Sequence, residues 1–248
     1  MQTTDRIRHA GVWLITSLAF AAPAMAGDTP APPAPAAAIE AAPSDADLAK
    51  TVCVPSEERI LPGDFFYCIA ERSYGHGNVA ESQRFFKEAA SWASKPAQYV
   101  LGVMALNGDH EPADRPLGIA WLALASERPN SSFREVYETA WQSATPDERE
   151  RAQSLLKAMR PTYGDIAAAS RAERRYADGM ARFNRAAARG DGISCMAGDQ
   201  NLGADPNDNA HCMSSQKMAM ALDKAAANVF DGWTGHVTIG DLSTVDHH

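Results

Sequence analysis

Two Ser-x-x-Lys pairs, Ser154/Lys157 and Ser214/Lys217, have the spacing that sets a serine nucleophile one helical turn from a lysine base. The second pair opens a helical segment, and Thr234-Gly235 precedes a short apolar run. A serine acyl-transfer site of that kind needs a lysine before the Thr-Gly, and Trp233 stands there instead. Asp205, Asn207 and Asn209 begin like a calcium loop, which takes oxygens from alternate positions. Ala210 replaces the glycine of its turn and Gln216 the terminal glutamate. His76, His110, His211, His236, His247 and His248 are scattered. No His-Glu-x-x-His, Gly-x-Ser-x-Gly or phosphate-cradling glycine loop occurs. No catalytic residue, cofactor-binding residue or metal ligand is assigned, and the expectation is a non-enzymatic chain without a cofactor.

The cysteines form two close pairs, Cys53 with Cys68 and Cys195 with Cys212. No Cys-x-x-Cys occurs, which disfavours a zinc site. An even count in an oxidising compartment favours disulfides, and four cysteines allow three connectivities. Local pairing is expected, each bridge closing a loop of about 15 to 18 residues, worth roughly 3 kcal/mol in the chain-entropy model. The sharpest charged feature is an arginine stripe. At 100° per residue, Arg171, Arg175, Arg182, Arg185 and Arg189 fall within about 80° of one another on a long predicted helix. Ile166, Tyr176, Met180 and Phe183 lie opposite, as a core face, and Gly179 marks a place where the helix could bend. The stripe is either a contact surface for an acidic ligand or a solvated face paired to Glu173 and Asp178.

Such residues need elements to hold them, and the chain divides into four parts. Residues 1–26 read as a signal peptide: Arg6 and Arg8, a short apolar core, then Ala24-Met25-Ala26 as the cleavage signal. That core is too short for a membrane span, and no later apolar run reaches about 18 residues. Export to a periplasmic or secreted location is expected. Residues 27–50 are dominated by alanine and proline and read as a linker, either a spacer or a tail. Residues 51–190 are the helical body and 191–248 a C-terminal appendage. With 45% hydrophobic residues and a net charge of -8 the chain is globular and acidic, which gives no case for nucleic acid or acidic lipid as a partner.

The helical body carries an internal repeat. A shift of 36 residues puts Trp121 on Phe85, Leu122 on Phe86 and Ala125 on Ala89 (121 minus 85). Each unit reads helix, glycine-rich turn, helix. In the later unit Gly118, Trp121, Leu122 and Ala125 share one face of the second helix, and Leu101, Gly102 and Ala105 one face of the first. Gly118 and Ala125 allow close approach, Trp121 fills the groove, and Gly108 stops the first helix. The pattern Ala97, Leu101, Gly102, Met104, Gly108, then Asp114, Gly118, Trp121, Leu122, Ala125, resembles the Sel-one-like repeat, a relative of the tetratricopeptide repeats. That family has Ala where Gly118 stands, a second Ala at Ser126, and an aromatic at Ala105. Two units cover about residues 64–128; the earlier one keeps the turn Gly75-His76-Gly77-Asn78-Val79 but lacks the Leu-Gly pair. The resemblance implies stacked helical hairpins that act as a binding scaffold.

Beyond the repeats, Phe133, Val136, Tyr137, Ala140 and Trp141 recur at helical spacing. Thr145-Pro146-Asp147-Glu148 reads as a capping box, Ala152, Leu155, Leu156 and Met159 as a buried stripe, and Pro161 as the stop. These helices would cap the array. After Gly192, strand-like "GISCM" and "HVTIGDL" flank a helix at "SSQKMAMALDKAAANVF", with Val237–Ile239 expected to pair near Ile193. The fold expected is mainly α: a short α-solenoid-like array with capping helices and a small α+β appendage stapled by Cys195 and Cys212. The function expected is protein–protein interaction in a bacterial-type envelope, through the concave face and a protein or peptide partner. Two other classes stay open: an envelope enzyme or enzyme inhibitor with its site in the appendage, and a cell-wall-ligand binder using the arginine stripe.

Overall fold

The computed structural model describes residues 43–189, 193–194 and 213–233. The signal-peptide span, most of the linker, Cys195, Cys212 and the expected strand at 237–239 lie outside these residues. What is described is mainly helical. None of its helices is long and apolar enough to cross a membrane.

The linker reading is corrected at its end. Residues 45–48 form a helical turn, α1 (Asp45–Leu48), closed by a capping box between Ser44 and Asp47. It rests on the end of α2 (Pro62–Gly75), where a Cβ on Gly75 would come within 2.8 Å of the Leu48 backbone. Cys53 and Cys68 form the expected disulfide, with Cα atoms 5.7 Å apart. It ties the segment before α2 to that helix across a short 3-10 helix, Pro55–Arg59.

Four helices then form two hairpins: α2 with α3 (Val79–Ser91), and α4 (Lys95–Asn107) with α5 (Arg115–Ala125). Val79 and Arg115 open the second helices 36 residues apart (115 minus 79). Local chemistry sets the ends. Ser94 accepts from the Ala97 N–H, Asp114 from the Leu117 N–H, and Pro96 and Pro116 occupy first turns where no N–H is missed. Gly108 ends α4 at φ 72°, the left-handed conformation that costs glycine nothing.

The α4–α5 crossing depends on Gly102 and Gly118. A Cβ on Gly118 would lie 2.8 Å from the Gly102 carbonyl oxygen, and one on Gly102 2.8 Å from Leu122. Phe86, Ala89, Ala97, Leu101, Met104, Trp121 and Leu124 fill the core that the two hairpins share. Trp121 is buried and meets Tyr163 edge-on, centroids 4.7 Å apart. Ile119 and Leu122 face the other way, onto Ala140 of α6 (Arg134–Gln142), Ala152 of α7 (Pro146–Tyr163) and Ala144 in the turn between them. The Thr145/Glu148 capping box opens α7.

Pro161 does not stop α7. The helix continues to Tyr163 because tertiary contacts hold its last turn: Met159 and Tyr163 pack on the core, and the Gln98 amide donates to the Tyr163 carbonyl at 2.9 Å. Gly164, in extended conformation, separates α7 from α8 (Asp165–Ala187).

The core face of α8 is as expected at Tyr176, Met180 and Phe183 and departs from the expectation at Ile166. Ala168, Ala169 and Ala172 are buried with Met180, and Ile166 is 88% exposed. The buried positions centre on the alanines, which places Ile166 about 110° off that face. Small residues win here because α8 lies close to its neighbours: a Cβ on Gly179 would meet Ile60 at 3.0 Å. The last helix, α9 (Ser215–Val229), buries Met218, Leu222 and Ala226, with Phe230, against Ile60, Leu61, Ala172 and Met180. It is part of the helical body's packing, so the described residues show no separate core after residue 190. Ahead of it, β1 (Ile193–Ser194) pairs antiparallel with β2 (Met213–Ser214), Ile193 opposite Ser214. Among the described residues, the segment at Ile193 pairs with 213–214.

Candidate functional site

Two cavities that share Tyr67 lie beside the first helices of the two hairpins. On α2, Asp64, Tyr67, Glu71 and Tyr74 recur at spacings of three and four, one face of a helix. On α4, Tyr99, Val100 and Val103 face them. A cavity of about 250 Å³ lies between, floored by Phe86 and Met104 and closed at one end by Pro43 and Leu48. A second cavity of about 350 Å³ continues past Tyr67 to Lys95, Phe133 and Asp231. Tyr67 lines both. Phe133 of the second cavity stacks on Tyr99 of the first, centroids 4.8 Å apart. The smaller cavity is walled largely by aromatic and aliphatic side chains, whereas most residues lining the larger one are polar or charged.

Acids flank these cavities. Glu57, from the 3-10 helix, hydrogen-bonds Asp64, and Glu71 accepts from the Tyr67 hydroxyl. Burial, then the charge of Asp64 beside it, raises the Glu57 carboxyl to about 7. Burial also raises Asp64 and Glu71 above the usual carboxylate range. Farther along, the Tyr74 hydroxyl donates to Asp109 at 3.2 Å.

The cations lining the larger cavity are committed elsewhere. Lys95, Arg128 and Asp165 are 7%, 6% and 8% exposed. The Lys95 ammonium donates to Asp165 at 3.0 Å, to the Leu124 carbonyl at 2.7 Å and to Gln98 at 3.1 Å, with Glu127 at 3.4 Å. Burial lowers its pKa, and the two carboxylates act against that. Arg128 donates through Nε to Asp165 at 3.0 Å and through Nη1 to the Val229 and Asp231 carbonyls at 2.7 and 3.0 Å. Glu127 accepts from the Asp165 backbone N–H at 3.0 Å. This hub joins the start of α4, the turn after α5, the start of α8 and the end of α9.

The residues singled out from sequence lie elsewhere. Leu101, Gly102, Gly118, Trp121 and Ala125 are interior packing between α4 and α5, and Gly108 ends α4. In the arginine stripe Arg175, Arg182, Arg185 and Arg189 are exposed. Arg171 departs from them: it donates to the Ser91 and Thr162 carbonyls and lies over the Trp92 ring at 5.4 Å. Its guanidinium is a packing element. Sequence reading missed the hub and the acidic flank. The hub has no sequence signal, because its members come from four segments. The flank had one, the Asp64, Tyr67, Glu71, Tyr74 stripe. Among the described residues no three His, Cys, Asp or Glu side chains are placed to hold a metal ion. Comparisons with protein-family models, with curated proteins and with solved structures find no match to this chain.

Proposed function

We propose that this chain is an exported, non-enzymatic helical-repeat protein that binds a protein or peptide segment in the groove between α2 and α4. The observation that carries this reading is Tyr67, which lines two neighbouring cavities beside the first helices of both hairpins. Neighbouring cavities suit an extended segment better than a compact small molecule. The aromatic walls supply large contact area at low entropy cost. The equal offset of α3 and α5 and the sequence pattern around Gly102 and Trp121 support a Sel-one-like hairpin array, whose first helices would form the concave face. The Cys53–Cys68 bridge is compatible with an oxidising compartment, which fits the signal-peptide reading.

A direct test is selection of a random dodecapeptide phage library on the purified mature protein, followed by rebinding to Val103→Trp. The indole would fill the smaller cavity without adding charge. Clones that lose Val103→Trp while its melting temperature is retained support the groove. Clones that bind both proteins equally refute it.

A further inference from the structure

Resting on the groove reading, we infer that the segment it takes is cationic: a lysine or arginine set against Asp64 and Glu71, with an apolar neighbour between Tyr74 and Val103. The charges that line the two cavities are Asp64, Glu71, Asp109 and Asp231 against Lys95 and Arg128. Lys95 is matched by Asp165 and Glu127, and Arg128 by Asp165 and two carbonyls. Both cations are therefore matched within the protein, which leaves Asp64, Glu71, Asp109 and Asp231 as the other charges lining the two cavities. Asp64 and Glu71 stand two helical turns apart on one face of α2, with the Tyr67 ring between them. An ammonium or guanidinium there would meet carboxylates on either side and an aromatic ring beneath. The aliphatic stretch at Val100, Val103 and Met104 follows within the smaller cavity. The segment's apolar side chain belongs there, since a second charge would lose water without a partner. The net charge of -8 adds a long-range pull on the same sign of ligand.

Three fluorescein-labelled dodecapeptides of one framework test this by polarisation: three repeats of Ala-Leu-Lys-Ala, and the same peptide with every Lys replaced by Gln or by Glu. The lysine peptide is expected to bind wild type at least tenfold tighter than the other two. That gap should close in Asp64→Asn/Glu71→Gln and in 0.5 M NaCl, as screening of partly exposed charges requires. The double variant removes like charges and should melt no lower than wild type, so loss of binding there reports recognition. Equal affinity for all three peptides, abolished by Val103→Trp, would overturn the cation preference and leave the groove standing. Lysine-peptide binding that is indifferent to both variants, or no binding at all, would overturn the groove as well.

Discussion

Asp165 holds two buried cations at once, and its removal gives the sharpest test of how the helical body is held together. One carboxylate oxygen accepts from Lys95 at 3.0 Å and from Arg128 Nη2 at 3.4 Å; the other accepts from Arg128 Nε at 3.0 Å. Asp165→Asn keeps the shape and one acceptor but deletes the charge. The amide NH2 must then face an ammonium or a guanidinium, donor against donor. Glu127 remains for Lys95, and Arg128 keeps only carbonyls. Breaking a buried pair by removing one partner costs about 3–5 kcal/mol, because the other charge stays desolvated. The retained acceptor puts the expectation at about 3 kcal/mol. For a chain of this size each kcal/mol moves the melting temperature by roughly 2–4 °C, so a drop of roughly 6–12 °C is expected. Urea unfolding followed by circular dichroism measures it, with an unchanged m-value as the check that only stability moved. A double-mutant cycle with Lys95→Met adds a second reading: the asparagine should cost less once one cation is gone, a coupling of about 0.5–3 kcal/mol. A loss below about 1 kcal/mol, or strict additivity with Lys95→Met, would refute the view that Asp165 is the anion on which both cations depend.

Four further outcomes are expected. Gly118→Ala should destabilise by about 1–3 kcal/mol in thermal melts, since its Cβ meets the Gly102 carbonyl oxygen at 2.8 Å and a backbone atom cannot swing aside. Arg175→Gln/Arg182→Gln/Arg185→Gln should leave the melting temperature nearly unchanged, whereas Arg171→Gln alone should cost about 1–2 kcal/mol through its lost carbonyl and Trp92 contacts; a triple variant that unfolds would mean the exposed arginines also pair. Glu57, raised in the fold from 4.5 to about 7, binds its proton more tightly folded than unfolded, so its stabilisation is complete below pH 4.5 and lost as pH rises toward 7. Discounted for its partial exposure, the loss is about 1 kcal/mol, and urea midpoints at pH 5 and pH 8 should show it in wild type and not in Glu57→Gln. The local spacing of Cys195 and Cys212 in sequence predicts a bridge between them, and peptide mapping without reduction would contradict it by finding either thiol alkylated.

Sequence alone carried the helical hairpins because their signals are local. Asp114, Thr145 and the Gly108 stop act within a few residues of themselves, and the apolar spacing around Trp121 points to one face whatever packs on it. The errors came where a distant contact outvotes a local signal. Pro161 is a stop by its own chemistry, yet Gln98, 65 residues away, holds the carbonyl of Tyr163 beyond it. Ile166 looks like core by hydrophobicity, yet the close approach of neighbouring helices favours Ala168, Ala169 and Ala172 on the buried face. Arg171 reads as surface by charge, yet it reaches the Ser91 carbonyl, 80 residues away. The groove was half readable. The α2 stripe of Asp64, Tyr67, Glu71 and Tyr74 has helical spacing, but its meaning depends on α4 standing opposite, which only the hairpin geometry supplies.

The hub and the groove share two residues, and that sharing links stability to recognition. Lys95 and Arg128 line the larger cavity while their charges are spent on Asp165 and Glu127. Were those carboxylates absent, the same two cations would project a positive field into the groove and cancel Asp64 and Glu71. The buried anions therefore do more than satisfy buried cations: they leave the groove's acids as its unopposed charge. Because Asp165 opens α8 and Arg128 grips the carbonyls at the end of α9, the two C-terminal helices set the electrostatic character of a site built on α2 and α4. Under the proposed reading the C-terminal helices would thus bear on recognition, although the exposed α8 arginines are not among the residues lining either cavity. A hairpin array lacking α8 would leave Arg128 without a carboxylate partner and Lys95 with Glu127 alone, and so weaken the anionic character of the cavities.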